Sequence, residues 1–130
     1  MIKFTIVTIT YNAADVFMRT ADSVARQTYA ALEHLIIDGA SSDGTQNMAE
    51  EYKKASNAAC NGHEVRLISE PDKGLYDAMN KGRRLATGDY VCFLNAGDFF
   101  PSADTLAVIA ANARLEECSS EGKPLPGVLY

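Results

Sequence analysis

Four apolar, strand-like segments, each followed by a segment with helical spacing, constrain the fold more than any other feature. The strand-like segments cover residues 3–12, 32–38, 65–70 and 90–94. Strands that alternate with helices predict a mostly parallel sheet with right-handed crossovers and helices on both faces. The near-continuous apolar character of the strands agrees, because parallel strands are covered on both sides. The predicted fold class is therefore α/β.

The size and charge of the chain narrow its possible roles. Its 130 residues and 14.0 kDa suit one domain, 1–130, that is large enough to bury a core. A net charge of -5 and a pI near 4.9 give no electrostatic footprint for DNA or RNA, so no nucleic-acid partner is expected.

Three cysteines at no framework spacing indicate a reducing compartment. No apolar stretch approaches the roughly 20 residues of a membrane span, and no signal-peptide pattern follows Met1. A cytoplasmic protein is expected.

Polar residues stand where each predicted strand ends. In parallel sheets, ligands bind beyond the carboxyl ends of the strands, so these residues should converge on one functional edge. They are Thr10, Tyr11 and Asn12, then Asp38, then Glu70 to Lys73, and finally Asn95 to Asp98.

Several kinds of site are disfavoured by the motifs that this sequence lacks. The first turn, TYNAAD, has no G-x-G-x-x-G, and neither a P-loop nor a G-x-S-x-G elbow occurs in the sequence. His34 and His63 are placed at a strand start and in a loop, away from the functional edge, and are interpreted as structural. A receiver-like domain would need several acids after its first strand, where only Asp15 is present. Acids without a P-loop still bind a nucleoside diphosphate when a divalent cation bridges them to it.

Four segments together resemble the inverting, GT-A-fold glycosyltransferases of family 2. They are FTIVTITYN, IIDGASSDGT, EPDKGLYDAMNKG and LATGDYVCFLNAGDFF, in the family's order and across most of residues 3–100. The resemblance implies transfer of a sugar from a UDP- or GDP-linked donor to a saccharide or lipid-linked saccharide, in a polysaccharide pathway of the cell envelope. It also implies a Mg²⁺ or Mn²⁺ ion held after the fourth strand.

Carried over residue by residue, the resemblance implies a donor-binding set with distinct tasks. Asp38 resembles the acid that hydrogen-bonds the base or ribose, although it could also simply begin a turn. The full donor-binding set is Thr10, Tyr11, Asn12, Asp38, Lys73, Asp77, Asn80, Asn95 and Ala96.

The third helical segment, residues 75–86, leaves the role of Asp77 open. A stripe that includes Leu75, Ala78 and Gly82 predicts its packed face, and Asp77, Lys81 and Arg84 lie opposite. Asp77 and Asn80 are one turn apart and could face the donor together. Alternatively, Asp77 pairs with Lys81 on a solvated face.

The loop after the fourth strand departs from the family's pattern. The family usually has D-x-D there, whereas this chain has Asn95, Ala96, Gly97 and Asp98. Asp98 is therefore the only carboxylate available to a metal, and Ala96 and Gly97 keep the loop small enough for a diphosphate to approach. The alternative is that Asp98 is an ordinary turn residue or helix cap.

A catalytic base is the missing part of the site. The resembled family places an Asp or Glu in the second half of its catalytic domain, and the nearest acids, Glu116, Glu117 and Glu121, do not suit that role. We therefore expect the donor-binding part of an incomplete domain that lacks the acceptor-binding part. Residues 127–130 should begin another strand, and an open sheet edge would permit self-association. Peripheral membrane association of a longer protein is a further expectation, and a non-catalytic nucleotide- or partner-binding module is the alternative.

Overall fold

The computed structural model describes residues 2–119 and 128–129, and it forms one parallel sheet with helices packed on it. Within these residues the strand order is β3-β2-β1-β4-β5, and every pair of neighbours is parallel. The predicted α/β class with a parallel sheet is confirmed. The elements are β1 (Phe4–Thr10), α1 (Phe17–Ala25), β2 (Leu32–Asp38), α2 (Thr45–Ala58), β3 (His63–Ser69), α3 (Leu75–Leu85), β4 (Tyr90–Phe93), α4 (Thr105–Ser119) and β5 (Val128–Leu129).

The helices cover both faces of the sheet, as the sequence predicts. Successive side chains of a strand point to opposite faces, so β1 contributes Phe4 and Ile6 to one face and Val7 to the other. Phe4 and Ile6 belong to the core that packs with Val24 of α1 and Leu106 of α4. The adjoining core on the same face joins α1 to α2, whereas Val7 packs with α3 on the other face.

Helix α3 lies close to the sheet because Gly82 faces Val7. A Cβ atom on Gly82 would lie only 2.5 Å from Val7 Cγ1, so no other residue fits without a shift of the helix. Ala78 and Lys81 are also buried, and Leu75 is 54% exposed. The predicted apolar stripe is therefore wrong at Leu75, and Lys81 is buried rather than on the solvated face. The loop before α3 supplies the polar partners that Lys81 needs.

Two buried polar networks connect the strands. On the α3 face, Glu33 accepts hydrogen bonds from Thr5 Oγ1 (2.9 Å), Thr87 N (3.0 Å) and Arg66 (3.0 Å). Burial raises the pKa of Glu33, but these hydrogen bonds outweigh it and hold the pKa below its usual value. Glu33 is therefore a charged residue that holds the sheet together.

His34 forms the second network, on the opposite face. Its ring nitrogens lie 2.7 Å from Thr8 Oγ1 and 2.7 Å from Tyr52 Oη, and burial, followed by the charge of His63, lowers its pKa to about 3. His34 is thus neutral at pH 7 and its contacts are structural, as predicted. His34 lies inside β2 rather than at its start, and His63 begins β3 instead of lying in a loop.

The other differences from the sequence-based boundaries are small. Strand β3 starts two residues before the predicted residue 65 and ends at Ser69. The strand predicted near residues 127–130 is present as β5, which pairs with β4. Glu121 lies outside the described residues, and Glu116 and Glu117 lie in the part of α4 described only by its backbone. Within residues 2–119 and 128–129, no helix combines the length and the apolar character that a membrane crossing requires.

Candidate functional site

The strand register places the carboxyl ends of β1, β2 and β3 at the same level. Thr10 is paired with Asp38, and Asp38 is paired with Ser69. Strand β4 ends earlier, opposite Val7, but the chain continues beside β1 because Ala96 N donates to Ile9 O. Loops from all four strands therefore meet along one edge, as the sequence predicts for a parallel sheet.

Asp38 is buried at the centre of this edge, with a relative exposure of 1%. Its Oδ1 accepts hydrogen bonds from Thr10 Oγ1 (2.6 Å) and Ser41 Oγ (2.6 Å). Its Oδ2 accepts from Ser41 N (2.9 Å) and Ser69 Oγ (2.8 Å). Burial raises the pKa of Asp38, but the bonds from Ser41, Thr10 and Ser69 outweigh it, so the pKa lies below its usual value. Four donors occupy the carboxylate, and a direct ligand contact would have to displace one of them.

The loops after β1 and β2 are joined by hydrogen bonds between side chains and backbone. Asn12 Oδ1 accepts from Ser42 N (2.9 Å), and Asn12 N donates to Ser41 Oγ (2.8 Å). Asp43 accepts from Ala14 N (3.1 Å) and also from Thr45 N (3.0 Å), the first residue of α2, whose N-cap position is Gly44. Asn12 has a φ of 49°, a left-handed conformation that asparagine tolerates. Asn12 thus holds two loops together.

A cavity of about 560 Å³ opens at this edge, on the face of the sheet that α3 covers. Thr10 and Tyr11, both predicted donor contacts, line it, whereas Asp38 is not among its lining residues and lies on the other face. Apolar walls with a few polar groups are typical of sites for small organic ligands. The lining residues are Ile9, Thr10, Tyr11, Gly39, Pro71, Asp72, Gly74 and Leu75.

The loop between β3 and α3 forms one wall of the cavity, and Lys81 of α3 contacts this loop. Lys81 Nζ donates to Pro71 O (3.2 Å) and lies 3.1 Å from Glu70 Oε1 and 3.9 Å from Asp77 Oδ2. Asp77 Oδ2 also accepts from Lys73 N at 3.0 Å. These contacts favour the interpretation in which Asp77 pairs with Lys81 and supports the loop.

Lys73 and Asn80, two predicted donor contacts on α3 and the loop before it, differ in their exposure. Lys73 is exposed, and within the described residues it donates one hydrogen bond, from its backbone nitrogen to Asp77 Oδ2. Asn80 is half-buried on α3. Both residues stay predicted donor contacts.

The turn that carries Asp98 is anchored both to α1 and, through Ala96, to Ile9 in the cavity lining. Gly97 N donates to Thr20 Oγ1 (2.8 Å), and Asp98 N donates to Asn95 O (2.9 Å). Gly97 has a φ of 99°, which favours glycine at this position. The turn therefore presents its last residue, Asp98, at the surface.

Asp98 satisfies only part of what a metal site needs. Its carboxylate is exposed and makes no hydrogen bond or ion pair within the described residues. Among those residues, no group of three or more His, Cys, Asp or Glu side chains could hold a metal ion. A single carboxylate with diphosphate oxygens and water fits Mg²⁺ or Mn²⁺, since Mg²⁺ usually keeps several waters. Asn95 and Ala96, predicted to contact the donor, lie in the same turn.

A second cavity, of about 600 Å³, lies between α1 and α2. Met18, Met48 and Tyr52 are among its lining residues, and it contains none of the predicted site residues. The chemistry-bearing side chains lie at the sheet edge, so the edge cavity is the candidate site.

The sequence analysis places Asp72 at the functional edge, within Glu70 to Lys73, but assigns no role in the site to Asp72 or to Gly39, and both line the edge cavity. The quoted motif EPDKG contains Asp72, but a carboxylate within a Pro- and Gly-containing turn is usually a turn former. Only the folded loop shows that Asp72 extends over Gly39. The sequence alone carries no signal for that contact.

Comparisons with known proteins agree with this architecture. The chain is 42% identical over 108 residues to the PGL/p-HBAD biosynthesis glycosyltransferase of Mycobacterium bovis (strain BCG / Pasteur 1173P2), covering 83% of this chain and 40% of the relative. The mannosyltransferase PcManGT from Pyrobaculum calidifontis, solved with GDP-Man and Mn²⁺, superposes with a TM-score of 0.71 at 29% identity, covering 82% of this chain and 30% of that one. S. aureus TarS 1-349 with UDP-GlcNAc superposes with a TM-score of 0.69 at 20% identity, covering 95% and 37%.

The chain spans about two fifths of the length of the curated relatives that it matches first. The family model described as glycosyl transferase family 2 matches residues 5–119. This chain therefore belongs to glycosyl transferase family 2.

Proposed function

We propose that these residues are the donor-binding part of an inverting glycosyltransferase that moves a sugar from a nucleoside diphosphate to an acceptor hydroxyl. One observation carries the proposal: the edge cavity opens where the loops of β1, β2 and β3 meet, and the turn with Asp98 is hydrogen-bonded to Ile9 in its lining. A cavity for the nucleoside thus adjoins an exposed carboxylate that suits a cation on the diphosphate.

The cavity has the composition that a nucleoside requires. Tyr11 is 68% exposed at the rim of the cavity, and Ile9, Pro71 and Leu75 supply apolar walls. Stacking of a base on an aromatic ring contributes on the order of 1–3 kcal/mol. Lys73 places an exposed cation on the same loop, where it would attract the diphosphate.

Asp98 is the residue that would hold Mg²⁺ or Mn²⁺. A cation there would offset the negative charge that develops on the departing nucleoside diphosphate. The relative solved with GDP-Man and Mn²⁺ supports this assignment. Asp98 contributes one ligand, and the donor's phosphates and water would supply the others.

The acceptor and its activation belong to the longer protein in this proposal. We assign no general base among the described residues, since Glu70 and Asp77 face Lys81 and Asp38 is buried. We assign a saccharide or lipid-linked saccharide acceptor to that longer protein; the mycobacterial relative is named for PGL/p-HBAD biosynthesis. We place the longer enzyme in the cytoplasm, with peripheral contact to the membrane where such acceptors are found.

Calorimetry with UDP and GDP, with and without Mn²⁺, tests the proposal on this chain. We expect at least one nucleotide to bind, and Mn²⁺ to strengthen binding about tenfold, a change of about 1.4 kcal/mol. Asp98→Ala should abolish the effect of Mn²⁺ and leave metal-free binding unchanged. Glu64→Ala is the matched control, because Glu64 is exposed at the opposite end of β3.

Each negative result contradicts a different part of the proposal. If neither nucleotide binds under any condition, the cavity is not a donor site. If Asp98→Ala keeps the full Mn²⁺ effect, the metal assignment is wrong. Nucleotide binding without sugar transfer by the full-length protein would favour the non-catalytic binding module instead.

A further inference from the structure

We infer that Asn57 closes the outer edge of β3 and so keeps a second copy of the chain from pairing with the sheet there. The geometry that supports the inference is a pair of hydrogen bonds between the Asn57 side chain and the backbone of Val65. Strand β3 is an outermost strand of the sheet that the described residues form. The inference concerns association between copies and is independent of the proposed function.

The outer edge of β3 consists of the backbone groups that point away from β2. Successive residues of a strand direct their N–H and C=O groups to opposite sides, and Glu70 N, directly after β3, donates to Asp38 O of β2. The residues at odd positions of β3 therefore direct these groups outward. They are His63, Val65, Leu67 and Ser69. Unpaired groups of this kind are a template for a strand of another chain.

Asn57 binds the outward groups of Val65 in the way that a neighbouring strand would. Its Nδ2 donates to Val65 O (3.2 Å), and its Oδ1 accepts from Val65 N (3.0 Å). Asn57 lies near the end of α2, so its amide reaches the edge from the helix that precedes β3. One side chain thus supplies both the donor and the acceptor that a strand from another copy would offer.

The part of the edge that Asn57 leaves open is short. At the amino end, Asn61 Oδ1 accepts from His63 N at 3.1 Å. Beyond the carboxyl end, Pro71 has no N–H, so a paired strand could not continue there. Leu67 and Ser69 remain, and no side chain of the described residues binds their outward backbone groups. This run is below the usual length of a strand, about three to ten residues.

The blocked position lies where two copies would need it. Identical strands pair antiparallel about a two-fold axis, the commonest symmetry of protein dimers. With the axis at Leu67, Val65 of each copy would lie opposite Ser69 of the other. Because the Asn57 amide already binds Val65 in both copies, this register is closed. Removal of the amide would open a continuous run from Val65 to Ser69.

Sedimentation velocity of the 130-residue chain and of Asn57→Ala tests the inference. Concentrations from roughly 1 µM to 1 mM cover the range in which exposed strand edges associate. We expect the sedimentation coefficient of the variant to rise with concentration, whereas that of the unchanged chain should rise less. Asn47→Ala is the matched control, because it removes the same side chain from an exposed position of the same helix and changes helix propensity equally. It should sediment as the unchanged chain does.

Amide hydrogen exchange identifies the surface through which the copies associate. In dilute Asn57→Ala, the Val65 amide should exchange about tenfold faster than in the unchanged chain, the upper end for loss of one neutral hydrogen bond. At high concentration, the amides of Val65 and Leu67 should regain protection, because a strand of the second copy then binds them. Asn57→Asp keeps the acceptor for Val65 N and adds a charge at the edge, so it should not associate.

Two results would overturn the inference. If Asn57→Ala sediments as the unchanged chain does at every concentration, the amide does not close the edge. If the unchanged chain protects Leu67 as its concentration rises, the edge is open despite Asn57. The second measurement needs no variant, so it decides the matter even if thermal denaturation shows Asn57→Ala to be unfolded.

Discussion

Asp38 is the last residue of β2 and Asp98 lies in the turn after β4, at the same edge of the sheet, yet their surroundings are opposite. Asp38 is buried and accepts four hydrogen bonds from three residues. Asp98 is exposed at the end of a turn, and its carboxylate has no partner within residues 2–119 and 128–129. The Asp38 carboxylate is used in hydrogen bonds that join the strands, whereas the Asp98 carboxylate is available to a ligand.

The difference follows from where each strand ends relative to its neighbours. Strand β2 lies between β1 and β3, so Asp38 is flanked on both sides by paired residues, Thr10 and Ser69. Strand β4 ends three residues short of the end of β1, and its turn reaches α1 instead. A residue at the end of a central strand is thus drawn into internal hydrogen bonds. A residue in the turn beyond a shorter strand remains open to solvent.

Asp38→Asn should have the largest effect on stability. The amide replaces an acceptor oxygen with a donor that faces other donors, and the charge-assisted hydrogen bonds are lost, so we expect a loss of about 3 kcal/mol. Urea denaturation at pH 7 measures it. Asp98→Asn is the matched control and should change the unfolding free energy by less than about 0.5 kcal/mol. Equal effects for the two variants would contradict the contrast between the carboxylates.

The hydrogen bonds of the Asp38 carboxylate should also make the free energy of unfolding depend on pH. Because the pKa of Asp38 is lower in the folded protein than its usual 3.8, its ionised form stabilises the fold above that pH. The contribution is lost as the pH falls through the folded pKa, below 3.8. Urea midpoints measured from pH 7 down to about pH 2 should fall less steeply in Asp38→Asn than in the unchanged chain. Glu33, whose pKa is also lowered, keeps some acid sensitivity in the variant.

Thr20→Val tests the anchor of the Asp98 turn and should have a smaller effect. Valine keeps the shape of threonine but leaves Gly97 N without its acceptor, at a cost of about 1.5 kcal/mol. Thr28→Val is the control, because Thr28 is exposed where its hydroxyl donates to Asp104. Urea denaturation should rank Thr20→Val well above Thr28→Val. A neutral Thr20→Val would show that the turn does not depend on this bond.

The sequence predicts the strands, the helices and the functional edge because apolar periodicity and chain order determine them. It does not predict how Asp38 is used, since its four hydrogen bonds depend on residues brought together by register from three strands and a loop. Lys81 is similar: its position within α3 indicates a solvated face, but the chain brings Pro71 O and Glu70 to it as partners. The position of Asp72 over Gly39 is not predicted for the same reason, because it arises from how the loop before α3 folds.

The contact between Gly82 and Val7 makes two distant positions depend on each other. A Cβ at position 82 would press against Val7 at 2.5 Å, so any larger residue there must lift α3 from the sheet or be accompanied by a smaller residue at position 7. Lifting α3 would also move Lys81 away from the carbonyl of Pro71. Among natural variants of this domain, we therefore expect positions 7 and 82 to covary, with their combined side-chain volume nearly constant.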